Sequence, residues 1–129
     1  MALDTAAPWA GVLAASWLVV FQLLLAGGAP LGFLAWGGQE PGRLSRGRRF
    51  ASLASAVLMA GFAALFGQAA GLWSLLPEPL PRWPFIFGVG LFSLSTLGNV
   101  VTKSRPERWH GVPLVVALTL ACGVLAFSG

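Results

Sequence analysis

Charge is what this chain has least of. Asp, Glu, Lys and Arg make up 9% of its 129 residues, against about 25% in soluble domains, while 57% of the chain is hydrophobic and mean hydropathy is +0.79. A soluble chain this short has no core large enough to hide so much apolar surface, so lipid must be the solvent for much of it. Cysteine is almost absent too. Cys122 alone excludes an internal disulfide and any multi-cysteine metal site, and within an apolar run it behaves as a small hydrophobe. His110 is the sole histidine, which excludes haem held by two histidines and argues against a metal centre. No acidic residue lies deep in a long apolar run, so the buried carboxylate typical of proton-coupled transport is missing. No catalytic residue, metal ligand or cofactor is expected, and the chain reads as a non-enzyme.

What the sequence has is four apolar runs, at about 9–28, 50–75, 83–101 and 110–127, each near the roughly 20 residues that a spanning helix needs. Ser, Gln and Asn interrupt them, but the charges fall between them. This predicts a single all-α domain over 1–129, a transmembrane four-helix bundle. Ala26, Gly27 and Gly28 superficially resemble a signal-peptide cleavage site, but residues 1–8 carry no Lys or Arg and a secretion signal wants a basic start. The first run is therefore expected to be a retained helix.

Seven of the eight basic residues lie in two connections. Arg43, Arg46, Arg48 and Arg49 precede the second run, and Lys103, Arg105 and Arg108 precede the fourth. The positive-inside rule places loops 29–49 and 102–109 in the cytoplasm and both termini outside. A pI near 11.3 then reflects topology and attraction to anionic lipid, with no nucleic acid expected as a partner. Tryptophans agree with that orientation: Trp9, Trp73 and Trp83 fall at expected outer ends, and Trp36 and Trp109 at inner ends, where indoles sit in the half-wet zone. Trp17 is mid-span and reads as packing. Between the second and third runs, four prolines within residues 77–84 forbid a helix. The chain should thus form two antiparallel hairpins joined by a short, stiff outer turn.

Each run carries a small or polar stripe at helical spacing. These are Gly11, Ala15, Gln22 and Ala26; then Ser52, Ala56, Ala63, Gly67 and Ala70; then Gly88, Ser95, Asn99 and Thr102; and last Ala117, Ala121 and Ser128. In lipid, such faces let helix backbones approach closely. Gln22 and Asn99 fall at similar depth in the inner half and are expected to hydrogen-bond across the bundle, worth about 1 kcal/mol. Gln68 falls near the outer face. The same polar residues would line a water-filled route if the protein conducts.

Two segments invite a functional reading. Residues 27–39 hold five glycines and Pro30, too many for an ordinary helix exit, and predict an interfacial or re-entrant turn. No Gly-Lys-Ser/Thr follows, so this is not a phosphate-binding P-loop. Residues 99–110 carry Lys103, Arg105 and Arg108, which with Arg43, Arg46, Arg48 and Arg49 could make a basic surface for anionic headgroups, each cation gaining about 1 kcal/mol. Topology alone would also require these charges.

At these segments the chain resembles a group of small bacterial membrane proteins of uncharacterised activity. They share a Gly-Ala-Pro-x-Gly-x-x-Ala-Trp-Gly-Gly-Gln stretch, here Gly28 to Gln39, and an Asn…Ser-Arg-x-Glu-Arg stretch, here Asn99 to Arg108. The resemblance implies a four-helix architecture in a bacterial inner membrane and carries no chemistry with it. Small multidrug resistance transporters differ by having an acidic residue in the first helix, where this chain has none between Asp4 and Glu40. Two functional readings remain. One is a structural, accessory or lipid-interacting membrane protein, with room for a second copy or a larger complex. The other is an oligomeric small channel or carrier.

Overall fold

In the computed structural model, residues 2–127 are described, with side chains from residue 5 onward. Four α-helices run α1 Ala2–Ala26, α2 Arg46–Ala69, α3 Trp83–Val101 and α4 Arg105–Phe127, and there is no strand among the described residues. Each helix is long and apolar enough to cross a membrane, and the chain is a multi-pass membrane protein. Leu13, Val57, Leu94, Leu97 and Leu120 all lie exposed on outward faces, an arrangement suited to lipid rather than water.

The helices alternate in direction, giving the bundle a proline end, where the α2–α3 loop lies, and a basic end, where the other two connections lie. α1 packs along α2, α3 along α4, and α1 against α4. The α2 and α3 backbones stay apart and are bridged by rings, Phe62 on Phe92 at 5.0 Å and Phe66 near Phe85 at 5.9 Å between centroids. Small residues allow the close approaches. A Cβ on Gly11 would strike the Phe66 ring, and one on Gly88 would strike Cys122 Sγ. Ala15, Ser52, Ala56, Gly67 and Ala121 are likewise buried, so the stripes face inward. Ser128 lies outside the described residues.

Helix ends depart from the hydropathy pattern for local reasons. α2 stops at Ala69, although apolar residues continue to Leu76. Gly71 takes φ +85°, its N–H donates to the Gln68 carbonyl, and Leu72 N–H donates to Gly67. That is the Schellman closure, and a left-handed residue after it ends a helix whatever the hydropathy beyond. α1 closes in the same way around Gly28, through Gly28 N–H to Leu25 and Ala29 N–H to Leu24. Arg49 Nε adds a bond to the Ala26 carbonyl at 3.0 Å, placing a cation at a helix C-terminus, where it is favoured. α2 and α4 begin earlier than their apolar runs, at Arg46 and Arg105, because a helix can continue through charged residues into the interface. Pro84 stands in the first turn of α3, where its missing N–H costs nothing.

The 27–45 connection folds back on the basic end. Gly32 N–H donates to the Gly42 carbonyl and Phe33 N–H to Pro41, and Leu44 is buried against Phe21 and Leu25. Gly32 is required there, since any Cβ would collide with the Glu40 carbonyl oxygen. The chain then turns left-handed through Trp36, Gly37 and Gly38, with φ of +55°, +68° and +72°. The two glycines adopt this freely, whereas the tryptophan is held there at a cost of about 1–3 kcal/mol.

Candidate functional site

At the basic end the four helices do not close on one another. Ser52, Ser55 and Met59 project from one face of α2, Phe92, Ser95 and Asn99 from α3, His110, Gly111 and Val115 from α4, and Leu18, Phe21 and Gln22 from α1. Together with Leu34, Ala35 and Trp36 of the folded-back connection they enclose a cavity of about 300 Å³. Ser55 stands nine residues into α2, about 14 Å along its axis, so the cavity reaches well into the bundle. Beyond it, toward the proline end, the rings of Phe62, Phe66, Phe85 and Phe92 pack together and seal the core.

A wider mouth of about 720 Å³ adjoins the cavity, lined by Gln39, Arg48, Gly98, Thr102 and Lys103. Trp36, Ser95, Asn99 and Glu107 line both spaces. Glu107 is the pin of this region. Its Oε1 accepts from the Thr102 hydroxyl and its Oε2 from the Gly37 N–H at 3.3 Å. Ser104 Oγ accepts the Glu107 N–H and donates to the Phe33 carbonyl at 2.9 Å. The turn between α3 and α4 is thereby tied to the connection between α1 and α2.

The mouth is framed by charge. Arg48 Nη2 donates to Gln39 Oε1 at 2.7 Å, and its guanidinium lies over the Trp36 ring at 5.2 Å, a favourable cation–π position. Its Nη1 hydrogen-bonds to no described residue and faces Glu40 Oε1 at 3.7 Å. Glu40 also accepts from the Ser45 N–H at 2.8 Å. That bond, aided by the Ser45 side chain and Arg48, holds its carboxyl below the ordinary pKa against a smaller opposing desolvation.

Inside the cavity the polar groups are neutral amides and hydroxyls plus the imidazole of His110, with Glu107 at the boundary. His110 Nε2 accepts from the Trp17 indole N–H at 2.8 Å, which assigns the ring proton to Nδ1, and the ring lies 4.6 Å from that of Phe21. Asn99 Nδ2 donates to the Ser95 carbonyl of its own helix at 2.7 Å, and the amide nests against Gly111, where a Cβ would collide with it. The expected bond between Gln22 and Asn99 does not form. They line the same cavity, but the Asn99 amide donates to its own helix and sits against Gly111. Gln22, Ser52 and Ser55 make no side-chain hydrogen bond to any described residue.

Gln68 is at the other end, buried and fully used. Its Oε1 accepts from the Leu75 and Leu76 N–H groups at 3.0 and 2.9 Å, and its Nε2 donates to the Leu76 carbonyl and Glu78 Oε1 at 2.8 and 2.9 Å. It clamps the proline loop and lines neither the cavity nor its mouth. Of the seven basic residues, Arg48 and Lys103 line the mouth. Arg49 caps α1, Arg108 Nη2 donates to the Thr102 carbonyl at 2.9 Å, and Arg43 lies against Gly28. Arg46 and Arg105 are exposed. Sequence reasoning placed Ser52 on a stripe that could line a water-filled route but missed Ser55 as a cavity residue, the Trp17–His110 pair and the Glu107 pin. The one available signal was that Glu107, His110 and Gly111 share a face at three- and four-residue spacing.

No group of three or more His, Cys, Asp or Glu positioned to hold a metal occurs among the described residues. No protein-family model, curated protein or solved structure matches the chain.

Proposed function

We propose that this is a non-enzymatic membrane protein that receives the polar part of an amphiphile, such as a membrane lipid, in the cavity at its basic end. The supporting observation is the cavity itself: a space at membrane depth that mixes apolar walls with polar groups, of which Gln22, Ser52 and Ser55 bond to no described residue, closed by aromatic rings toward the proline end. Unpaired polar groups facing hydrocarbon cost several kcal/mol each by transfer estimates, so such a wall is suited to a guest that hydrogen-bonds. On the positive-inside rule the basic end faces the cytoplasm and both termini lie outside, and the resemblance noted above suggests a bacterial inner membrane.

The test is native mass spectrometry of the chain extracted in mild detergent. Retained lipid is expected on the native chain and lost on Ser55→Leu, which narrows the cavity and removes one of its hydroxyls. An unoccupied native chain would overturn the reading. Labelling of single cysteines placed at 43 and 103 in a Cys122→Ser background checks the orientation, with both positions expected on the cytoplasmic side.

A carrier is the second reading, and one feature favours it: a cavity open toward one end and closed at the other is one half of an alternating-access cycle. Solute flux into liposomes that is abolished by Gln22→Leu would support it against simple lipid retention.

A further inference from the structure

We infer that the guest's polar part is a phosphorylated polyol, such as a phosphoglycerol group, its phosphate at the mouth and its hydroxyls in the deeper cavity; this rests on the reading above. The two adjoining spaces differ in chemistry in the way such a group does. The mouth has two cations, Arg48 and Lys103, against one carboxylate, Glu107. That carboxylate already accepts from Thr102 and Gly37, and so is less available as a counter-ion. Arg48 is steadied by Gln39 and Trp36, while its Nη1 has only a long ion pair with Glu40. Lys103 bonds to no described residue. With Glu40 beside Arg48, Lys103 is the cation left without a described partner at the mouth, and a phosphate diester carries the single negative charge that matches it.

The deeper cavity has no cation. Its amides and hydroxyls each donate and accept, which is what a polyol needs and what a quaternary ammonium cannot use. A quaternary ammonium would leave Gln22, Ser52 and Ser55 unsatisfied, and a primary ammonium, which donates but cannot accept, would leave their N–H and O–H donors unused. Free phosphate would satisfy the mouth and leave the cavity unfilled. Only a group with a charged phosphate followed by neutral hydroxyls addresses both spaces, which share the walls of Trp36, Asn99 and Glu107.

The experiment is a competition in nanodiscs with equimolar phosphatidylglycerol, phosphatidic acid, phosphatidylethanolamine and phosphatidylcholine of identical acyl chains, read by native mass spectrometry. Soluble sn-glycerol 3-phosphate is titrated in parallel. Phosphatidylglycerol should be retained about tenfold over phosphatidic acid, equivalent to about 1.4 kcal/mol. Ser55→Leu should erase that margin and Ser55→Thr should keep it. Arg48→Gln with Lys103→Gln should weaken both anionic lipids together. Equal retention of phosphatidic acid, or of the zwitterionic lipids, overturns the polyol assignment and leaves the amphiphile reading standing. Saturable binding of glycerol phosphate with no lipid retained would keep the phosphate-polyol chemistry but overturn the amphiphile. Failure to retain any lipid or to bind glycerol phosphate overturns both.

Discussion

Gln22 and Gln68 are the same side chain at opposite ends of one bundle, and they are used in opposite ways. Gln68 makes four hydrogen bonds and is buried with its loop. Gln22 borders a cavity, and its side chain makes none to any described residue. The difference extends to their surroundings. The proline end is filled by phenylalanine rings set against glycines, while the basic end leaves neutral polar groups around open space. An end whose buried amide is spent on holding its own loop is built for stability. An end with bonding capacity unspent is built to receive something.

Substitutions can break that contrast, in decreasing order of effect. Phe66→Ala removes a fully buried ring packed on Gly11 and near Phe62 and Phe85. It should cost about 3 kcal/mol, seen as a lower Tm in detergent. Gln68→Ala strands the Leu75 and Leu76 amides and should cost about 2 kcal/mol, with residues 71–82 becoming open to limited proteolysis. If the loop stays resistant, Gln68 is not its clamp. Glu107→Ala should cost about 1 kcal/mol and, more specifically, raise hydrogen exchange at Gly37 while leaving the proline end protected. Gln22→Ala should change stability by less than about 0.5 kcal/mol; a Gln68-sized loss there would erase the distinction between the two ends.

The smallest effect is a titration. Because the folded protein holds the Glu40 carboxyl below its ordinary pKa, the unfolded chain binds that proton first as pH falls. The contribution is therefore complete above the ordinary value and disappears as pH drops through the lowered one. The protection factor of the Ser45 amide, whose N–H bonds to Glu40, should fall across that acidic window and stay constant at neutral pH.

The four spans were legible because charge segregation and run length are properties of composition along the chain. The inward stripes were legible too, since Ala15, Ser52 and Ala121 follow helical period. The ends of α2 were not. Hydropathy counts Leu72, Trp73, Leu75 and Leu76 as helix, while a left-handed Gly71 and the Gln68 clamp decide the backbone. The Gln22–Asn99 pairing failed for a related reason: depth along a helix was right, but the distance across the bundle depends on Gly111 making room for Asn99 on its own side. A cavity is set by what neighbouring side chains fail to fill, and no single residue announces it. The connection that covers it was visible only as an excess of glycine.

The seam between α2 and α3, where backbones stay apart and rings alone make the bridge, runs beside the polar space. A guest coming through that seam would travel sideways within one leaflet, a search in two dimensions. Its availability would then be a mole fraction of the surrounding lipid rather than an aqueous molarity. Occupancy would follow the make-up of the leaflet and ignore dilution of the buffer.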